Sequence, residues 1–410
     1  MQLLIPSLIL GYLAWTRNLT YCELIEHFDV IPVRRDHDPC HFAFCIPNQK
    51  AYARWPGYPR AARPDSGRAA AGRGASAAQC NASAIGEAIE LASACEWGDE
   101  PLIRATVNEL GTKAISPDLM NGFSSRQMKD REAWNASPFA AVDWRPPPFD
   151  ASRPIDWLQA STASGETCFV PADLVLVGRR EPGDPSAVSI ATTSGCASAA
   201  TPDAARQRAL LEVIERDAVG QWWYRQAPRP EIPLNSLDLP AAISRYIEDR
   251  TRKTMALDLT TELGVPVVAA LSFQPNGREL ALGFGCNLSP ASAGRSAVVE
   301  LFQTEIGLDQ RRRQNDPLAE VWMREATRDS LTISGTVETM TVMPSCDCNN
   351  LVTRLAQHGK TCAFVDLSRK GFGLHVFRAI MPEMWSDKPR FAGFERAGVS
   401  APQNMLPLLV

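Results

Sequence analysis

Carboxylates one helical turn apart recur in two places along this chain, and a third predicted helix pairs a carboxylate with an amide. Ser83, Glu87 and Glu90 fall on one face of a helix predicted over 82–95, opposite Ile85, Ala88, Ile89 and Ala92. Glu212, Glu215 and Arg216 lie on a helix predicted over 203–224, whose buried stripe is Leu211, Ile214 and Ala218. A third predicted helix, 291–310, sets Glu300 and Gln303 on one face and Val298, Leu301 and Phe302 largely on the other. One Glu pair at i, i+3 is usually the solvated side of an amphipathic helix. Repeated acidic faces are what a site for divalent metal and polyphosphate would need, because Mg²⁺ is held by a few hard carboxylate oxygens plus substrate phosphates. Gln303 offers an amide that donates and accepts, suited to a nucleotide base or a water ligand.

The surroundings of these faces support that chemistry. Gly72-Arg73-Gly74 before the first helix and Thr193-Ser194-Gly195 before the second are predicted as turns where backbone could approach a phosphate. Small residues flank both helices: Ala82, Ala84 and Gly86, then Ala197, Ala199 and Ala200. The sequence contains no G-x-x-x-x-G-K-[ST] loop, no G-x-G-x-x-G after a strand, no H-E-x-x-H and no G-x-S-x-G. Nucleotide chemistry here must use a phosphate site of another kind. The histidines form no recognisable pair, so each is expected to be structural.

The elements that must position these residues read as a mixed α/β fold. Strands are predicted at 155–159, 167–170, 174–177, 188–193, 265–273, 279–285, 362–366 and 374–380. Asn276-Gly277 is a strong hairpin signal between two of them. Residues 59–79, rich in Ala, Arg, Gly and Ser, read as a loop. Residues 3–15 are apolar but carry Pro6 and are too short to span a bilayer, so they are expected to be a buried N-terminal element.

Composition excludes several classes. A chain of 410 residues with 45% apolar and 21% charged content is a soluble globular protein of one large or two ordinary domains. Net charge is −4, and no basic run is dense enough to track a nucleic-acid backbone. Arg311–Arg313, the tightest basic cluster, is expected to be a solvated helix end. Eleven cysteines, without zinc-type spacing and many within apolar runs, point to reduced thiols and a cytoplasmic location.

Taken in order, these motifs resemble the YcaO-domain proteins, ATP-dependent enzymes that activate peptide backbone amides. The first signature is the glycine-basic-glycine segment leading to S-x-x-x-E-x-x-E, here Gly72-Arg73-Gly74 with Ser83, Glu87 and Glu90. The second is T-S-G-x-A followed by E-x-x-E-R-D-A and W-W, here Ser194, Gly195 and Ala197, then Glu212 to Ala218 with Trp222 and Trp223. The third is L-G-V-P at Leu263–Pro266, G-x-G at Gly283 and Gly285, and E-x-x-Q at Glu300 and Gln303. The resemblance covers about residues 72–380. It implies a YcaO domain over 59–388, preceded by an extension of uncertain role at 1–58 and followed by a tail at 389–410.

The resemblance also implies an acidic cleft for ATP and Mg²⁺, with Glu87, Glu90, Glu212, Glu215 and Glu300 as metal ligands. Arg73, Ser83, Ser194, Arg216, Arg295 and Gln303 would complete the nucleotide site, and no residue is given a catalytic role. The implied reaction is cyclodehydration of Cys, Ser or Thr to azolines in a ribosomally made, bacteriocin-like precursor peptide. Thioamide formation from a sulfide source is one alternative, and a non-catalytic ATP-binding accessory role is another. A leader-binding partner protein is implied, with a flavin dehydrogenase and a homodimer as further candidates; neither nucleic acid nor membrane is expected. Three departures stand out. Leu91 replaces a frequent Arg, Arg295 is displaced by one residue, and 402–410 lacks the Pro-x-Pro-x-Pro tail of many azoline-forming members.

Overall fold

The computed structural model describes residues 18–33, 38–337, 340, 347–401 and 406–409. The apolar segment 3–15, His37, Cys346, residues 402–405 and Val410 lie outside them. β1 (Phe28–Val33), β2 (His41–Pro47) and β3 (Ala70–Gly74) lead into helix α1 (Ala77–Ala94). β4 (Ile103–Ala105), β5 (Ile155–Thr162), β6 (Thr167–Pro171) and β7 (Cys196–Ala199) precede α2 (Pro202–Arg225). β8 (Arg229–Ile232), β9 (Lys253–Asp258), β10 (Val267–Phe273) and β11 (Ala281–Cys286) precede α3 (Pro290–Arg313). β12 (Ile333–Thr336), β13 (Ala363–Asp366) and β14 (His375–Ile380) follow.

These strands form three sheets, ordered β1-β2-β3, β11-β10-β9-β8-β12 and β4-β5-β13-β14-β7, with β6 paired to β5. Pairing is antiparallel except for β8 with β12. The mixed α/β class expected from the sequence is what the chain adopts. Each long helix is wedged between two sheets. α1 packs on β3 and β2 and reaches β7; α2 packs on β14 and β7 and reaches β11; α3 packs on β11 and β10 and touches β3. The three helices therefore close a ring, and their inner faces converge.

Local sequence explains this seating. Side chains of Ser76, Thr201 and Ser289 cap the three helices, and Pro202 and Pro290 open the last two. The helix–strand contacts need glycine. A Cβ on Gly72 would stand 2.3 Å from Ala84 N, and one on Gly283 would stand 2.1 Å from Leu301 N. No side chain fits there, so strand and helix backbones touch directly.

Several expectations need correction. Gly72-Arg73-Gly74 is the end of strand β3 rather than a turn, and its first glycine serves helix packing, not phosphate approach. Residues 59–79 are not a plain loop: they hold two short 3₁₀ turns, all of β3 and the start of α1. Leu174 and Val175 belong to the short helix Ala172–Val175, and 188–193 is irregular chain outside the strands, followed by the turn at Ser194-Gly195 that enters β7. In both cases an apolar run suits a buried loop as well as a strand. The described part of 1–58 contributes β1 and β2; β2 pairs with both β1 and β3, and the three strands form the sheet under α1. Leu408 and Leu409 of the tail are buried, with Trp223 Nε1 donating to Leu406 O at 2.9 Å. No helix among the described residues is long and apolar enough to cross a membrane.

Candidate active site

The ring of helices brings together the acidic residues that the sequence scatters over more than 200 positions. Arg73, at the end of β3, reaches α3: its Nη2 meets Glu300 Oε2 at 2.7 Å and its Nη1 donates to Gln303 Oε1 at 3.0 Å. Its own amide lies 3.5 Å from Ser83 Oγ on α1. Glu90 accepts from Ser198 N at 3.0 Å, which ties α1 to β7. Glu212 accepts from the Gly195 amide, presented by a turn with φ +77° that only glycine adopts readily. On α2, Arg216 donates from Nη1 to Asp387 Oδ2 at 2.9 Å and stands 3.8 Å from Glu212 Oε1.

Electrostatics shows that these glutamates feel one another. Burial raises Glu87, and Glu300 adds to the rise while Arg73 and Arg216 oppose it. Burial, then Glu87 and Glu212, hold Glu90 well above the usual carboxylate range. Burial pushes Glu212 up to about 7, against the pull of Arg216. Burial and the Glu300 charge push Glu215 up to about 8. Glu87 is exposed to water, yet protein atoms crowd it on most sides; it sits in a concave cleft, where water enters but bulk solvent does not surround the charge. Burial works against the charge on Arg216, but Asp387, Glu212 and Glu215 outweigh it and raise the value.

Five glutamates thus share Arg73, Arg208 and Arg216, and Asp387 also claims the last. Glu87, Glu90, Glu212 and Glu215, each pushed up by burial, ionise together only with added positive charge. Arg216 Nε is buried and has no hydrogen-bond partner. Among the described residues no three His, Cys, Asp or Glu side chains make a ready metal cage. Mg²⁺ does not need one, since it usually takes one or two carboxylates plus substrate phosphates. The donor set therefore fits a cation that arrives with an anionic ligand.

Three cavities border the cluster. One of about 540 Å³ is lined by Glu87, Leu91, Thr192 and Thr193. Another of about 280 Å³ is lined by Arg73, Glu300, Gln303, Phe42 and Phe44. The third, about 150 Å³, is bordered by Ser194, Gly195, Arg216 and Asp387. Arg295 is not brought to the cluster: it bonds Asp238 at 3.0 Å and Ser292, and borders none of these cavities. Sequence reasoning missed Asp387, Arg208 and the Ser198 amide. The amide carries no side-chain signal, and Asp387 follows β14 in a segment with no periodic pattern.

A family described as YcaO cyclodehydratase, binding ATP and Mg²⁺, matches residues 71–385, and the chain belongs to the YcaO family. It is similar to a heterocyclase solved in complex with substrate and cofactor: TM-score 0.80, 26% identity, covering 94% of this chain and 55% of that one. The heterocyclase TruD superposes with TM-score 0.68 at 29% identity, covering 80% of this chain and 50% of TruD. This chain thus spans about half the length of those two heterocyclases. A YcaO protein from Methanopyrus kandleri, bound with AMPPCP and Mg²⁺, shares the fold at TM-score 0.57 and 19% identity, covering 93% of this chain and 90% of that one.

Proposed function

We propose that this chain is an ATP- and Mg²⁺-dependent enzyme that activates backbone amides of a ribosomally made precursor peptide and closes Cys, Ser or Thr residues into azolines. The observation that carries this reading is the convergence of Glu87, Glu90, Glu212 and Glu215, under-compensated in charge, with the Arg73–Glu300 pair and with Arg216, whose buried Nε has no partner. Those glutamates would hold Mg²⁺, which supplies the positive charge that lets them ionise together and steadies the phosphoryl group in transfer. Arg216 would take a phosphate oxygen, with Ser83, Ser194, Arg73 and Gln303 bordering the nucleotide. Arg295 would join only by releasing Asp238.

The substrate's own side chain does the nucleophilic work. Its oxygen or sulfur adds to the preceding amide carbonyl carbon, and its proton is lost. The resulting oxygen takes the γ-phosphoryl group of ATP, and ADP departs. The amide nitrogen then loses its proton, phosphate leaves and the C=N bond of the ring forms. This chain therefore needs no Ser or Cys triad; its task is positioning and charge stabilisation. A leader-binding partner would deliver the peptide, and a flavin dehydrogenase could oxidise the ring afterwards.

The test is mass spectrometry of the encoded precursor after incubation with this protein, its partner and Mg²⁺·ATP. The reading expects loss of one water mass per ring, matched by one ADP. Exchange of oxygen for sulfur, dependent on sulfide, would replace it with thioamide formation. Nucleotide binding without turnover under every partner combination would replace it with an accessory role.

A further inference from the structure

Four residues on α2 hold the chain segment that follows β14. Asp217 Oδ1 accepts from Trp385 N at 2.7 Å, and Tyr224 Oη donates to Asp387 O at 2.9 Å. Gly220 lets Ser386 lie against the helix, since a Cβ there would stand 2.2 Å from Ser386 O. Arg216 makes the fourth contact, through Nη1 to Asp387 Oδ2 at 2.9 Å. The Asp387 side chain is only 6% exposed and that of Arg216 is 31% exposed, so this is a half-buried ion pair, and Asp387 lies just beyond the segment 71–385 that matches the family.

The position matters because Arg216 stands among competing anions. Glu212 is 3.8 Å away, and Glu215 and Glu300 also act on its charge. A guanidinium group is a rigid planar fork, so fixing one nitrogen fixes the plane of the others. Nη1 makes its hydrogen bond to Asp387, and the approach of Nη2 to Glu212 stays at a looser 3.8 Å. Nε is left without a partner.

We propose that Asp387 is a positioning residue that competes with Glu212 for Arg216 and orients its guanidinium toward the polyphosphate of the bound nucleotide. The inference rests on the nucleotide site described above. Asp387 itself touches no reacting atom; it acts through Arg216.

The experiment is a double-mutant cycle on the full chain, read by titration calorimetry with Mg²⁺·AMPPCP. Asp387→Asn is expected to weaken binding about tenfold, the usual scale for a residue supporting a direct ligand. In an Arg216→Ala background the same change should cost less than about twofold, because the residue it positions is gone. Tyr224→Phe, which loosens the same segment but spares the ion pair, should leave affinity within about twofold. If Asp387→Asn does not fold, Asp387→Glu serves in the cycle: it keeps the charge, moves it by one methylene, and should give a smaller loss that again vanishes without Arg216. An equal loss with and without Arg216, or no loss at all, overturns the proposal. Failure of the nucleotide site itself reads differently: Glu215→Gln and Arg216→Ala would both bind Mg²⁺·AMPPCP like wild type.

Discussion

Helix α3 carries two glutamates five positions apart that live in opposite surroundings. Glu305 is buried and fully answered: Arg250 Nη1 lies 2.9 Å away, Ser272 Oγ donates at 2.5 Å and Arg252 approaches to 3.6 Å. Glu300 faces the cleft, where Arg73 must serve it while also acting on Glu87 and Glu215. A carboxylate that only holds structure brings its own counter-charge, since an unpaired buried charge is strongly destabilising. The cleft glutamates have to share theirs: Arg73 pairs with Glu300 and also acts on Glu87 and Glu215. Their shortfall is what a ligand's positive charge would fill, and strain of this kind gathers at functional sites.

The contrast can be broken by substitution. Glu215→Ala or Glu87→Ala should lower nucleotide turnover by about a hundredfold or more, with the thermal midpoint preserved. Glu305→Ala should do the reverse: a stability loss of about 3 kcal/mol in denaturant titration, with activity per folded molecule retained. Equal loss of folding from both would erase the distinction.

A pH series sharpens it. Glu212 and Glu215 are raised from 4.5 to about 7 and about 8, so the folded chain holds protons there that the unfolded chain has released. Stability of the metal-free protein must therefore fall as pH rises from about 5 to about 8. Glu215→Gln should flatten that fall and raise the midpoint by about 2 °C at pH 8, measured by differential scanning fluorimetry. A metal-free protein that gains stability over the same range would refute the charge shortfall. The smallest effect is expected at Arg295. Its guanidinium already serves Asp238, so Arg295→Ala should change the KM for ATP by less than about twofold.

Much of the site was legible in the sequence because helices impose a period. Ser83, Glu87 and Glu90, and likewise Glu212 and Glu215, share faces that follow from spacing alone, and all three long helices are where the pattern places them. The hairpin at Asn276-Gly277 followed from turn chemistry, with Gly277 at φ +79° between β10 and β11. What could not be read was tertiary. Nothing local says that Arg73 will grasp Glu300 or that Asp387 will meet Arg216, because those partners are brought together only by the ring of sheets. Gly72 looked like a phosphate turn because glycine permits both close ligand approach and close helix approach; only the contact with Ala84 separates the two. β9 was missed too, since its alternation is broken by three consecutive buried residues.

Titration calorimetry of the metal-free protein with AMPPCP, with and without Mg²⁺, at pH 7.5 in two buffers of different ionisation enthalpy probes the cleft most directly. Uptake is expected only with Mg²⁺, together with release of protons as Glu212 and Glu215 give them up to the arriving cation, and with loss of both signals in Glu215→Gln. Nucleotide uptake that ignores Mg²⁺, or a Glu215→Gln protein that binds like wild type, would contradict this expectation.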